Sequence, residues 1–219
     1  IRRMYEKGDE CFYYITMYNE DYAMPAMPQG AAEGILKGIY RYRAAADLPS
    51  GAKGEATVQL FGSGPILNEV LRAQEILAEK YKIAADAWSV TSYTELRREA
   101  IATERWNRLH PSQAARTTYI ETALAGAKGP IVAASDYMKI MADGLAPWLP
   151  GRITALGTDG FGRSENREYL RRHFEVDAES IAVAAISSLA KEQKVPLEMA
   201  ARAMVDLGLD PNKPDAARA

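Results

Sequence analysis

The stretch Thr57-Val-Gln-Leu-Phe-Gly-Ser-Gly-Pro-Ile-Leu-Asn-Glu-Val-Leu-Arg-Ala-Gln-Glu-Ile-Leu-Ala-Glu-Lys-Tyr81 decides the fold. Thr57 to Phe61 is rich in β-branched and large apolar side chains and reads as a strand. Gly62-Ser63-Gly64 reads as a tight turn, and Pro65, whose fixed φ suits a first helical turn, opens a helix to Tyr81. On that helix Ile66, Leu67, Val70, Leu71, Gln74, Leu77 and Tyr81 share one side. Asn68, Glu69, Arg72, Glu75 and Glu79 fall largely on the other. A strand followed by a helix of this length is half of a βαβ unit, whose crossover lays the helix on a parallel sheet.

Working outward, the same alternation recurs. Upstream, Cys11 to Tyr18 (CFYYITMY) is aromatic and β-branched and reads as a buried strand, closed by Asn19-Glu20-Asp21. Pro25 and Pro28 exclude regular structure around them, because each lacks an N–H and pushes the preceding residue out of the helical region. A helix start at Gly30 to Leu36, a strand at Ile39 to Arg43 and a surface turn at Leu48 to Gly54 follow. Downstream, strands are expected at Asp86 to Ser92, Pro130 to Ala134 and Arg152 to Leu156. Helices are expected at Thr94 to Leu109, Thr118 to Leu124, Tyr137 to Trp148 (stopped by Pro150) and Glu165 to His173. Asp177 is a good N-cap for a helix from Ala178 to Glu192, and Pro196 opens a last one from Leu197 to Leu207, with Gly208 beyond its end. The pattern predicts one α/β domain over residues 1–219, a mostly parallel sheet between two helical layers, with a loose lead-in at 1–10 and a frayed tail at 211–219.

Composition narrows the function. With 47% hydrophobic and 26% charged residues, the 219-residue chain is neither disordered nor disulfide-stapled. The 27 basic and 29 acidic side chains are interspersed, which gives no electrostatic argument for nucleic acid or an anionic membrane. No apolar run approaches membrane-spanning length. Cys11, the one cysteine, cannot form an internal bridge and reads as a small buried thiol of a cytoplasmic protein. The sequence starts at Ile1 without a methionine, which suggests a piece of a longer polypeptide.

Little in the sequence looks catalytic. The Ser63-Gly64 turn, between a strand and a helix, is the best candidate for anion binding, although it lacks the third glycine of a dinucleotide fingerprint and the Gly-Lys-Ser/Thr of a phosphate loop, and a plain turn explains it as well. The loop Gly157-Thr-Asp-Gly-Phe-Gly-Arg-Ser164 leaves the carboxyl edge of the sheet, where open α/β folds place functional loops. Its glycines can project Phe161 and Arg163 toward a neighbouring surface; alternatively Phe161 folds into the core and Arg163 pairs locally with Asp159. His110, at a helix end before Pro111, reads as capping, packing or an interface residue; His173 follows Arg171 and Arg172 at another. Neither histidine belongs to a metal-ligand spacing, and no Gly-x-Ser-x-Gly elbow is present, so no metal site and no catalytic residue is expected.

Blocks in one order along nearly the whole chain carry a resemblance. They include Phe12-Tyr-Tyr-Ile-Thr16, Met24-Pro-Ala-Met-Pro28, Gly62-Ser-Gly64, Ser89-Val-Thr-Ser92, Glu104-Arg-Trp-Asn107, Leu109-His-Pro111, Ser135-Asp-Tyr-Met-Lys139, Leu156 to Ser164 and His173-Phe-Glu-Val-Asp177. The chain resembles the C-terminal domain of the homodimeric bacterial-type pyruvate dehydrogenase family. That resemblance implies a transketolase-like domain with a five-stranded mixed sheet in a three-layer α/β/α sandwich. It also implies, for the parent enzyme, decarboxylation of pyruvate on thiamine diphosphate and transfer of the acetyl unit to a lipoyl group of a partner acetyltransferase. In that family thiamine diphosphate and Mg2+ are held by preceding domains, through a Gly-Asp-Gly motif followed by Asn-Asn. Gly8-Asp-Glu10 and Thr158-Asp-Gly160 are only partial look-alikes, so no cofactor ligand is assigned to this chain. The implied partners are the preceding domains, a second subunit and the lipoyl-bearing acetyltransferase. A free-standing regulatory or anion-binding module is the competing reading.

Overall fold

In the computed structural model, residues 1–15, 17–18, 20–23, 26–47, 57–149, 151 and 153–218 are described. Five strands, β1 (Ile39–Arg43), β2 (Val58–Gly62), β3 (Ala85–Val90), β4 (Ile131–Ala134) and β5 (Ile153–Leu156), form a single sheet in the order β1-β3-β2-β4-β5. The last four are parallel, and β1 runs antiparallel to β3 at one edge. The sheet is therefore mixed and mostly parallel, as the alternation of strands and helices required.

Alternate residues of each strand feed two separate cores, as the twofold period of a strand demands. Val58 and Leu60, with Ala85, Ala87, Val132 and Ala134 from their neighbours, face the layer of α3 (Ile66–Tyr81), α8 (Ala178–Lys191) and α9 (Leu197–Asp206). Phe61, Trp88, Val90, Ile131 and Ala133 face the layer of α4 (Tyr93–Leu109), α5 (Tyr119–Ala123) and α6 (Ile140–Asp143). Three layers result. Side chains cap the helix starts: Asp177, as expected, accepts from Ser180 N–H, and in addition Ser92 accepts from Glu95 N–H while Thr118 and Glu121 form a capping box. Two further short helices are α2 (Ala32–Lys37), ending at Gly38, and α7 (Arg167–His173), capped by Asn166.

Three expectations are corrected. Residues 11–15, 17 and 18 have no regular secondary structure and pair with no strand of the described sheet; Phe12 and Tyr14 are 87% and 88% exposed, and Cys11 is half-buried. Strand-like composition makes no strand without a ladder partner, and none of the described residues supplies one. The helix expected at Tyr137 to Trp148 is broken into α6 and a 3-10 turn at Ala146–Trp148, because Pro147 has no N–H to continue the ladder. Glu69 is not on a solvent face: it is 4% exposed, covered by the α7–α8 junction. The expected turn at Leu48 to Gly54 lies outside the described residues. The tail expected to fray is anchored by Lys213, whose Nζ donates to the carbonyls of Arg172 (2.9 Å) and His173 (2.7 Å). The lead-in contains a single helical turn, α1 (Arg2–Tyr5), and an Arg3–Asp9 ion pair at 2.7 Å.

Candidate functional site at the carboxyl edge of the sheet

Strands β2, β4 and β5 are in register and parallel, so Gly62, Ala134 and Leu156 end at a common edge and their loops emerge side by side. In the first of these loops the Ser63 N–H donates to Ala134 O (3.3 Å) and its hydroxyl to Val90 O (2.9 Å). Gly64 has φ +57, and a Cβ there would lie 3.2 Å from the Tyr18 hydroxyl and 3.9 Å from Asp136 Oδ1. Both Ser63 donors are thus satisfied within the sheet, and a carboxylate sits beside Gly64, where it would repel a second anion. This geometry does not support Ser63 and Gly64 as an anion site.

The loops after β4 and β5 are fastened to each other. Thr158 donates its N–H to Tyr137 O and its hydroxyl to Asp136 O, both at 2.9 Å. Asp159 Oδ1 accepts the Lys139 N–H at 3.2 Å, and its Oδ2 lies 3.9 Å from Lys139 Nζ. Gly157 is required by this contact, since a Cβ there would come within 2.4 Å of Tyr137 O. Beyond this base the chain presents Phe161 to solvent, 81% exposed, and the folded-back alternative is thereby excluded. Arg163, Arg167, Arg171 and Tyr22 rim a cleft of about 270 Å3 above Ile66 and Leu170.

Residues 18 and 20–23 lie along this same edge. The Tyr18 hydroxyl donates to Asp136 Oδ2 (2.8 Å), Asn68 Nδ2 donates to Ala23 O (3.3 Å), Glu20 pairs with Arg167 (3.4 Å), and Arg171 stands over the Tyr22 ring (5.5 Å to its centroid). Burial first, and then the Asp136 carboxylate accepting its proton, push the Tyr18 phenol well above its usual value, so it stays a donor. Arg171 is held from behind by buried Glu69 at 2.8 Å, which also accepts from Ala178 N–H (3.1 Å) and Arg72 (2.8 Å).

His110 is not part of this cluster. It caps the far end of α4, whose 17 residues carry it roughly 25 Å along the helix axis. There its Nδ1 lies 2.8 Å from Trp106 O and its ring stacks on Trp106 at 4.4 Å, while Arg116 stands 3.6 Å from the Trp106 ring centroid. The structure therefore brings Asp159, Phe161 and Arg163 together and leaves His110 at the opposite end. Sequence reading missed Tyr18, Asp136 and Glu69; Tyr18 and Asp136 are 118 positions apart, and no local period joins such residues. Tyr137 and Met138, in the loop after β4, are also exposed. Among the described residues no group of three or more His, Cys, Asp or Glu side chains is arranged to hold a metal ion.

A family model described as the transketolase-like TK C-terminal domain matches residues 38–177, which span all five strands. The chain belongs to this family. It is 46% identical over 215 residues to the pyruvate dehydrogenase E1 component of Pseudomonas aeruginosa, covering 97% of this chain and 24% of that protein. The Escherichia coli K12 protein of the same name is 47% identical over 215 residues, covering 97% and 23%. The chain thus spans about a quarter of the length of these relatives. Among solved structures, a transketolase from Leishmania mexicana matches with a TM-score of 0.46 and 18% identity, over 75% of this chain and 20% of that one.

Proposed function

We propose that this transketolase-like domain is the C-terminal domain of a thiamine-diphosphate-dependent pyruvate dehydrogenase. In this reading the parent enzyme decarboxylates pyruvate in the cytoplasm and passes the acetyl unit to a lipoyl group of its partner acetyltransferase. The observation that carries it is identity of 46–47% across 97% of the chain with proteins named for that component. The domain itself is non-catalytic. The turn at Ser63, satisfied from within, supplies no diphosphate cradle, and thiamine diphosphate with Mg2+ is assigned to domains outside this chain. The chemistry is the cofactor's when it is bound there.

What this chain contributes is a surface. Phe161, Tyr137 and Met138 at the carboxyl edge, and Phe12, Tyr14 and Met17 in the leading segment, are large, apolar and exposed. A solvated domain gains nothing from such residues, whereas packing against preceding domains or a second subunit buries them. Phe161 with Arg163, and Asp159 bracing their loop, are the anchors of that contact, and His110 belongs to a second contact at the far end of α4.

Two measurements test this. Calorimetric titration of the chain with thiamine diphosphate and Mg2+ is expected to give no saturable heat, while the full-length enzyme gives micromolar binding. In the full-length enzyme Arg163→Ala is expected to weaken the dimer or lower turnover with pyruvate. Tight cofactor binding by the chain overturns the non-catalytic assignment, and unchanged dimer dissociation with unchanged turnover overturns the anchor role.

A further inference from the structure

The loop that presents Phe161 is held on two sides, and only one of them is the sheet. Its base is pinned to the β4–α6 connection through Thr158 and Asp159, as described above. Its tip is met by the C-terminal segment. Gly160 has φ +90, and a Cβ placed on it would lie 2.6 Å from Ala216 O and 2.8 Å from Ala217 Cα. The backbones of residues 160 and 216–217 are therefore in contact, an approach that only glycine permits.

The sequence of the tail builds this contact. Asp210 and Asp215 each fold the chain back on itself: Asp210 Oδ1 accepts Asn212 N–H at 2.8 Å and Asp215 Oδ1 accepts Ala217 N–H at 3.0 Å. Between these turns Lys213 reaches the C-terminal end of α7. Its ammonium meets the Arg172 and His173 carbonyls and the Glu175 carboxylate, the last at 3.1 Å. A helix C-terminus carries partial negative charge, so one cation there meets two carbonyls and a carboxylate at once. The tail is thus bolted to α7 at Lys213 and lies against Gly160 at Ala216 and Ala217.

We propose that residues 210–218 are a strap that sets the conformation of the Gly157 to Ser164 loop, so that Lys213 acts as a positioning residue for Phe161. This deepens the anchor role proposed above, but its test does not depend on that role, because it reads the loop in this chain alone. The test is backbone hydrogen exchange on four proteins: the unaltered chain, Lys213→Gln, Lys213→Arg, and a deletion of residues 211–219. Exchange at the Thr158 amide, which donates to Tyr137 O at the base of the loop, is expected to accelerate at least tenfold in Lys213→Gln and in the deletion, while β2 and β4 remain as protected as before. Lys213→Arg, which keeps a cation near the same carbonyls, is expected to restore most of the protection. Should the deletion fail to fold, Lys213→Gln decides alone. If exchange at the Thr158 amide is unchanged in Lys213→Gln, or if only the tail itself loosens, the strap is overturned. Failure of Arg163→Ala to affect the full-length enzyme would leave this result untouched, so the two ideas fail separately.

Discussion

Tyr18 and Asp136, separated by 118 positions, meet in a 2.8 Å hydrogen bond that ties the leading segment to the loop after β4. The bond works in one direction only. With the phenol protonated it donates to the carboxylate; once ionised, two negative oxygens would face each other. Tyr18→Phe is expected to cost about 1 kcal/mol near neutral pH. Its difference from the parent chain should be constant below about pH 10, the ordinary phenol value. Above that, the unfolded chain releases the Tyr18 proton while the folded chain keeps it, so the parent loses stability as pH rises and the difference shrinks. Tyr81, Tyr93 and Tyr119 are pushed in the same direction by burial, and comparing the two proteins cancels their contribution. A gap in urea unfolding that persists unchanged to pH 11 would remove this account.

Glu69 joins three elements: Arg72 on its own helix, Arg171 on α7 and the first N–H of α8. Arg72 is more than half exposed and contributes little. The cost of removing Glu69 comes from leaving the half-buried Arg171 and the buried Ala178 N–H without their acceptor. Glu69→Ala is expected to destabilise by roughly 3 kcal/mol, and Arg72→Ala by less than about 1 kcal/mol. Equal effects of the two in denaturant titrations would show that Glu69 acts only through its own helix.

The order of strands and helices was legible because each strand is a short β-branched or alanine-rich run and each long helix carries its own cap or proline start. Ser92, Thr118 and Asp177 cap where they stand in the sequence. What could not be read was what faces what. Glu69 sits among polar neighbours on α3, and only the later arrival of Arg171 and Ala178 turns that position inward. Phe12 to Tyr18 has the composition of a buried strand, but composition does not say whether a neighbouring strand is present. The exposed loop at Phe161 was legible because its glycines and its place after a strand are local facts. The answering contact from Ala216 is a long-range one with no signature in sequence.

Gly129 precedes β4 with φ +80, and a Cβ there would fall 1.8 Å from Thr57 O. Backbone occupies that space, so no rotamer change can relieve the overlap. Gly129→Ala is expected to destabilise the chain by at least about 2 kcal/mol through strain and displacement of the segment leading into β2. Gly126 also has positive φ but faces open space, so Gly126→Ala isolates the conformational part and should cost about 1 kcal/mol. Thermal unfolding of both tests the comparison, and a larger loss at Gly126 would contradict it.

Phe161 offers the sharpest separation of stability from function. At 81% exposure it makes little contact with its own domain, so Phe161→Ser should leave the urea midpoint of this chain within about 0.5 kcal/mol. The same change removes a large exposed aromatic from the carboxyl edge, where Tyr137 and Met138 are also exposed, and binding of an apolar fluorescent dye should fall measurably. An anchor that is silent in the domain and active in the assembly has this signature: no change in folding, less apolar surface, and a weaker contact wherever that surface is covered. A substantial loss of stability on Phe161→Ser would place the ring in the domain's own packing instead. Dye binding unchanged from the parent chain would mean that Phe161 is not part of a continuous apolar face, and the surface proposed for the carboxyl edge would reduce to Tyr137 and Met138.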